Sequence, residues 1–273
     1  MMNDERIDAL DAAAEANPDE AIAREIRRSI ENGFENFFLR YQPVFAPGTG
    51  KPIGVEALLR WKNKKFGEVT PGRFLADIER DGSFRSLGYW IMSSVLTDGA
   101  LFLKADPDFT VCVNVSPEQI TDPDFAGNLA EIADQAGFPL NRLQLEITRD
   151  CRLLPLDELC SFSEPLRVMG VKIGIDDFGS GNDWLGALRT LQPDYVKFSS
   201  EFTNSIIMSE TEREVVRHLS GLAHAYEAEV FFKSVESEDT ADALSELTVN
   251  GAQGWFFSEV IYFDEVLGWL RRK

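Results

Sequence analysis

Eight runs of aliphatic, aromatic and β-branched residues recur along this chain, and most are separated by segments with helical spacing. The runs are FLRYQPVFA (38–46), PIGVEALLRW (52–61), FTVCVNV (109–115), RLQLEIT (142–148), VKIGIDDF (171–178), DYVKFS (194–199), AEVFFKSVE (228–236) and AQGWFFS (252–258). Between them, SLGYWIMSSVLTDGALFLKA, DPDFAGNLAEIADQAG, ETEREVVRHLSGLAHAYEA and EDTADALSELTVNG repeat apolar positions every three to four residues, several opening on an Asp, Ser or Thr cap or closing at glycine. Strands that alternate with helices argue for a parallel sheet, because parallel neighbours need a long crossover. Eight units of ordinary size point to an α/β fold closed as a (β/α)8 TIM-type barrel, with an open doubly wound sheet as the alternative. Only PGTGK separates the first two runs, too short for a parallel crossover, so the barrel is expected to have an antiparallel first strand.

The 273 residues, 44% of them apolar, suffice for one large core or two modest ones. Residues 1–19 are small, acidic and Ala-rich up to the Asn17-Pro18 break, which predicts a flexible extension or linker remnant. From Pro18 a lead-in helix starts the barrel domain, taken as residues 20–273. The formal net charge is −19, so a nucleic-acid polymer or an anionic membrane surface is disfavoured as a partner. An anionic ligand would need local cations or metal ions. No apolar run reaches the roughly 20 residues of a spanning helix, and the N-terminus lacks a secretory pattern. Cys112, Cys151 and Cys160 are odd in number and lack metal spacing, which reads as reduced thiols in a cytoplasmic protein with no zinc site. His218 and His224, six apart on a helical segment, do not share a face and read as surface or packing residues.

Polar residues gather toward the C-terminal halves of the strand runs: Glu56, Asn114, Glu146, Asp176 and Asp177, Lys197, then Lys233 and Glu236. In a (β/α) barrel that end carries the active site. One acid at a strand end is ordinarily a helix cap, but carboxylates from successive strands repel one another unless a cation joins them. Carboxylates and an amide form a hard oxygen set, suited to Mg2+ or Mn2+ rather than zinc.

In order, EALLRW, VNVSP, LEIT, DDFGSG, VKF, SVE and AQGWFFS resemble the motif series of EAL-domain cyclic di-GMP phosphodiesterases. YQPVF and TPGRFLADIERDG extend the likeness from about residue 20 to the C-terminus. The resemblance implies a barrel, a divalent-metal site and hydrolysis of one phosphodiester bond of cyclic di-GMP to the linear dinucleotide. Matched residue by residue, it implies a first metal site at Glu56, Asn114, Glu146 and Asp176. It further implies a second-metal role for Asp177, a place near the attacking water for Lys197 and a supporting carboxylate at Glu236. Gln42, Arg60 and Gln253 match positions that touch the ligand. It also implies an upstream sensory or GGDEF domain or another, unknown protein partner, and allows a homodimer.

The pattern breaks at two carboxylates. The family's Glu-Gly-Val-Glu reads Lys-Ser-Val-Glu here, placing Lys233 where a base and metal partner is expected. Lys-Ile-Asp reads Lys-Phe-Ser, placing Ser199 where a second-metal aspartate is expected. Together these changes move the local charge by three positive units, close to replacing a divalent cation. The second metal site is therefore expected to be lost, with Lys233 beside its position and paired to Asp177 or Glu236. Asn182, Asp183 and Trp184 replace the family's usual loop after DDFGSG, Arg149 stands where glutamate is common, and Glu259-Val260 replaces a usual Lys-Pro. Three functions remain open: a cyclic di-GMP receptor holding one metal, a ligand-independent protein-interaction scaffold, and a residual phosphodiesterase. The receptor fits the retained first-site and ligand residues best.

Overall fold

In a computed structural model, described for residues 18–80, 82–180 and 184–271, the chain opens with α1 (Pro18–Glu31), β1 (Phe37–Phe45), β2 (Pro52–Asn63) and β3 (Gly67–Val69). Next come α2 (Leu75–Arg80), α3 (Phe84–Ala105), β4 (Thr110–Val115), α4 (Pro117–Ile120), α5 (Phe125–Ala136) and β5 (Leu143–Ile147). The remainder is α6 (Leu156–Val168), β6 (Lys172–Phe178), α7 (Trp184–Leu191), β7 (Tyr195–Phe198), α8 (Ser200–Ser205), α9 (Glu210–Ala225), β8 (Glu229–Phe232), α10 (Glu238–Ser245), β9 (Gly251–Ala252) and α11 (Phe263–Leu270).

The sheet runs β1-β9-β8-β7-β6-β5-β4-β2-β3, and β1 also pairs with β2. It therefore closes into the expected barrel, with the first strand antiparallel to the second. Pairing from β2 through β4, β5, β6, β7 and β8 to β9 is parallel. A short ninth strand, β3, was not legible: Trp61, Lys62 and Asn63 pair antiparallel with Val69, Glu68 and Gly67. Two strand runs are shorter than their sequence suggests. The run at 228–236 stops at Phe232, and the run at 252–258 pairs only through Ala252. Residues 1–17, most of the expected extension, lie outside the described residues, as do Asn182, Asp183 and the side chain of Trp184.

The chain divides into two units. In the first, residues up to 39 together with 59–91, α1 buries Ile22 and Ile26 one helical turn apart, and Ser29 on the same helix accepts a bond from Trp61 Nε1 at 2.9 Å. Phe37 meets Phe74 edge-on at 6.3 Å, and Phe34 stacks on Trp90 at 5.8 Å. The second unit, residues 40–58 and 92–273, contains the β4–β9 strands. There, alternation along each strand sets two layers of side chains on opposite faces. Phe178, Phe198 and Phe232, at the ends of β6, β7 and β8, pack together on one face; Phe198 and Phe232 stack at 4.6 Å, and Phe202 of α8 covers Phe198 at 6.0 Å. Asp177 excepted, the polar residues of the C-terminal strand ends occupy the other face.

Candidate functional site

Below the polar layer lies a floor, set by one glycine. Tyr195 on β7 lies opposite Gly174 on β6, where a Cβ would sit 2.1 Å from the tyrosine ring. The missing side chain lets the ring cross β6, so that its hydroxyl reaches Cys112 Sγ on β4 at 3.5 Å. Two residues along each strand, on the same face, stand Asn114 above Cys112, Glu146 above Gln144, Asp176 above Gly174 and Lys197 above Tyr195.

Lys197 is the hub of this layer. Its side chain is 3% exposed, and Nζ donates to Glu56 Oε2 at 3.0 Å and makes an ion pair with Glu146. Glu56 also accepts from Asn114 Nδ2 at 2.9 Å and from Gln253 Nε2 at 2.7 Å. Burial alone raises the Glu56 carboxyl, but the Lys197 charge and the three donors outweigh it and hold its pKa at about 2. Glu146 has no such set of donors. Burial drives it up, Lys197 pulls it back, and the charges of Glu56 and Asp176 push it up again, to about 7. Burial lowers the Lys197 ammonium, yet Glu146 and Glu56 more than offset this and raise it well above the usual lysine range.

A second ammonium lies beside the first cluster. Lys233 follows the last residue of β8, and its Nζ donates to both Asp176 oxygens at 2.9 Å and pairs with Asp177 Oδ1 at 2.7 Å. The backbone makes this possible twice over. The β6–β7 register shifts between Ile175 and Phe178, and Asp177 takes φ 52°, so neighbouring aspartates reach one ammonium. Ser234 takes φ 60°, which ends the β8 ladder and leaves Lys233 off the strand. Burial lowers the Lys233 pKa, but Asp176 and Asp177 reverse this and raise it.

The expected pairing of Lys233 with Asp177 is thus present, with Asp176 as a further partner. Glu236, four residues beyond β8, is exposed, and among the described residues no ion pair between it and Lys233 is found. Ser199 is buried at the N-cap of α8, and its hydroxyl has no hydrogen-bond partner among the described residues. Gln253 reaches Glu56 from just past β9; the turn behind it depends on Gly254, where a Cβ would meet the Val235 backbone at 2.1 Å. Gln42 is half-buried on β1. Arg60 belongs to the first unit, where its Nε lies 3.5 Å from Glu68.

The oxygens left over decide what cation fits. Asn114 Oδ1, both Glu146 oxygens and Gln253 Oε1 are buried without hydrogen bonds among the described residues, which is an acceptor surplus. Hard oxygens of this kind suit one Mg2+- or Mn2+-like ion at the expected first site, where Asn114 Oδ1 and Glu146 have spare acceptors, whereas Glu56 and Asp176 would first have to give up contacts to Lys197, Gln253, Asn114 and Lys233. No group of three His, Cys, Asp or Glu residues spaced to share a metal is found among the described residues, so such an ion would rely on the Asn114 amide. The second site does not fit, because Asp177 is held by Lys233 and position 199 offers only a hydroxyl. Sequence reasoning missed Arg152, whose guanidinium lies near Asp177 and Asp176. A second arginine three residues after Arg149, in the β5–α6 loop of so acidic a chain, was the available signal.

Known proteins resemble this chain. A profile described as the EAL domain matches residues 23–260. The probable cyclic di-GMP phosphodiesterase PdeI of Escherichia coli K12 is 34% identical over 246 residues, covering 89% of this chain and 31% of that protein. A solved PaMucR phosphodiesterase in complex with cyclic di-GMP superposes with a TM-score of 0.82 at 27% identity, over 89% of this chain and 98% of that one. The EAL enzyme Bd1971, in a cAMP- and cyclic-di-GMP-bound form, gives 0.84 at 26% identity, over 97% and 72%. The chain spans about a third of the length of the first curated relatives it matches, at 34%, 31% and 28% of their lengths. No helix among the described residues is long and apolar enough to cross a membrane.

Proposed function

The chain belongs to the EAL domain family, and from that premise we propose a degenerate member that holds cyclic di-GMP as a receptor or regulatory domain and hydrolyses it little or not at all. One observation carries the proposal. The Lys233 ammonium is bound to Asp176 at 2.9 Å and Asp177 at 2.7 Å, where the family resemblance calls for a carboxylate base and a second metal.

A tethered ammonium neutralises the two aspartates but cannot activate water. It carries one charge, has no open coordination position and, with its pKa raised, accepts no proton near neutral pH. Lys197 is equally unsuited to accept a proton, because Glu56 and Glu146 keep it charged. Fully ionised, the four carboxylates exceed the two ammoniums by two negative charges; Glu146, with its pKa at about 7, would give up its proton as a divalent cation enters, and the charges would then match. Glu56, Asn114, Glu146 and Asp176 would hold that ion, and when bound it supplies charge neutralisation for a phosphodiester. Gln253, Gln42 and Arg60 are the groups the resemblance assigns to the ligand; Gln253 Oε1 keeps an unused acceptor for it.

The direct test is restoration. Lys233→Glu combined with Ser199→Asp returns both missing carboxylates, and the variant is expected to release linear dinucleotide at least about a hundredfold faster than the parent chain, since the parts of such a site act together. Turnover by the parent chain at a rate the double change does not raise would remove the proposal. A ligand-independent scaffold is the second reading, favoured by Trp255 and Phe256, 69% and 43% exposed on the turn after β9. Magnesium separates the two: it tightens nucleotide binding by a receptor and leaves scaffold contacts unchanged.

A further inference from the structure

Arg152 is held in place from both sides and yet is short of acceptors. The turn Cys151–Leu153 is pinned by Cys151, whose thiol donates to the Val115 carbonyl at 3.1 Å. From this anchor Arg152 Nη1 reaches across to the Ser180 carbonyl at 3.3 Å, joining the β5–α6 loop to the end of DDFGS. Its Nε and Nη2 are buried and have no hydrogen-bond partner among the described residues. A buried donor without an acceptor is destabilising, and more so on a charged guanidinium than on a neutral group, so its presence here calls for an explanation.

The neighbouring carboxylates do not supply one. Asp177 and Asp176 are the opposite charges nearest Arg152, but Lys233 already occupies them. Burial lowers the Arg152 pKa, and those two aspartates only partly offset it. Arg149, exposed three residues earlier, adds a like charge rather than a partner. No described residue supplies the missing acceptor, which leaves the fork open to a group from outside the chain. A planar fork matches an anion that presents two oxygens, a carboxylate or a phosphate, and the receptor reading selects the phosphate. In a chain of net charge −19, the neighbouring positive charges of Arg149 and Arg152 mark a place where such a group could approach.

We propose that Arg152, with Arg149 at the rim, forms an anion subsite whose Nε–H and Nη2–H fork takes a phosphate group. The subsite rests on the receptor reading for its ligand, a phosphodiester-linked nucleotide; the anion chemistry stands without it. Arg152 is then a binding residue on the β5–α6 loop, and its charge helps to neutralise the bound anion.

Two measurements on the full chain decide the matter. Where the parent chain binds cyclic di-GMP, calorimetry on Arg152→Gln, which keeps an N–H for Ser180 but loses the charged fork, is expected to show affinity weakened by about tenfold or more. Arg152→Lys, with charge but no fork, is expected to fall between and serves if the glutamine variant folds poorly. Equal affinity in parent and variants overturns the subsite and leaves the receptor reading intact. Where the parent chain binds no cyclic di-GMP, the receptor reading falls, and inorganic phosphate titrated against the Arg152 Nε–H resonance decides the subsite. A saturable shift, absent for an equal titration of chloride, upholds it; an unmoved resonance overturns it.

Discussion

Lys233 is a single residue that bridges two neighbouring carboxylates, and its removal exposes the repulsion it suppresses. With Lys233→Ala, Asp176 and Asp177 lose three contacts of 2.7–2.9 Å and face each other uncompensated. Stability at pH 7 in the presence of a chelator is expected to fall by about 2 kcal/mol, read from the denaturant midpoint; an unmoved midpoint would mean the lysine is only a solvated neighbour. Glu146 gives a second prediction with a definite sign. Its folded pKa is raised from 4.5 to about 7, so the folded chain holds a proton that the unfolded chain has released. That contribution is fully present below pH 4.5 and is lost as pH rises through 7, amounting to a few kcal/mol at about 1.4 kcal/mol per pKa unit. Glu56 runs the other way: at about 2 it is lowered, and its contribution is lost only as pH falls below 4.5. In chelator, Glu146→Gln is therefore expected to flatten the stability profile between pH 4.5 and 7 and leave the acid limb in place. A profile that keeps its slope in that window would show that Glu146 is ionised normally.

At the scale of elements, most of what positions the site was written in the sequence as alternation, and what was not written concerns where strands stop. The runs at 109–115 and 142–148 map onto β4 and β5 with only end residues trimmed, because Val111, Val113 and Val115 and Leu143, Leu145 and Ile147 alternate strictly and commit one face of each strand to a covered core. The run at 228–236 keeps its apolar rhythm past Phe232, yet the ladder ends there. Ser234 turns to φ 60°, and the Val235 amide is taken by the Gln253 carbonyl, a partner 18 residues away that local pattern does not report. The Asp176-Asp177 pair was legible as chemistry, whereas the register shift that lets both reach Lys233 was not. Gly174 was legible only as one more strand glycine; its purpose appears once Tyr195 lies across it. Gly174→Ala drives a Cβ into that buried ring at 2.1–2.6 Å and is expected to cost more than about 2 kcal/mol, together with loss of the Glu146–Lys197 geometry. A variant that melts with the parent chain would mean the ring moves freely. Ser199→Asp alone is expected to lower stability in chelator by about 1 kcal/mol or more, because position 199 is 4% exposed and offers a new carboxylate no partner; an unchanged denaturant midpoint would mean that the side chain turns out to solvent.

For the whole molecule, eight alternating units sufficed to read the closed barrel, and the five-residue PGTGK link sufficed to read its antiparallel start. The division into two units was not legible, since it cuts through β1 and β2, each of which reads as one continuous run. The net charge of −19 bears directly on ligand capture. An anionic dinucleotide is repelled at long range and held only by the local cations, by an ion at Glu56, Asn114, Glu146 and Asp176, or by both. Magnesium and cyclic di-GMP together are expected to raise the melting temperature more than either alone, following the mass-action gain of about 2.7 kcal/mol at a hundredfold excess over Kd. The measurement that bears most directly on the central claim is equilibrium dialysis against cyclic di-GMP with magnesium, the nucleotide on each side identified by chromatography. Intact cyclic nucleotide concentrated on the protein side is the predicted result. Linear dinucleotide appearing in proportion to protein and time would contradict it, and so would equal concentrations of intact ligand on both sides.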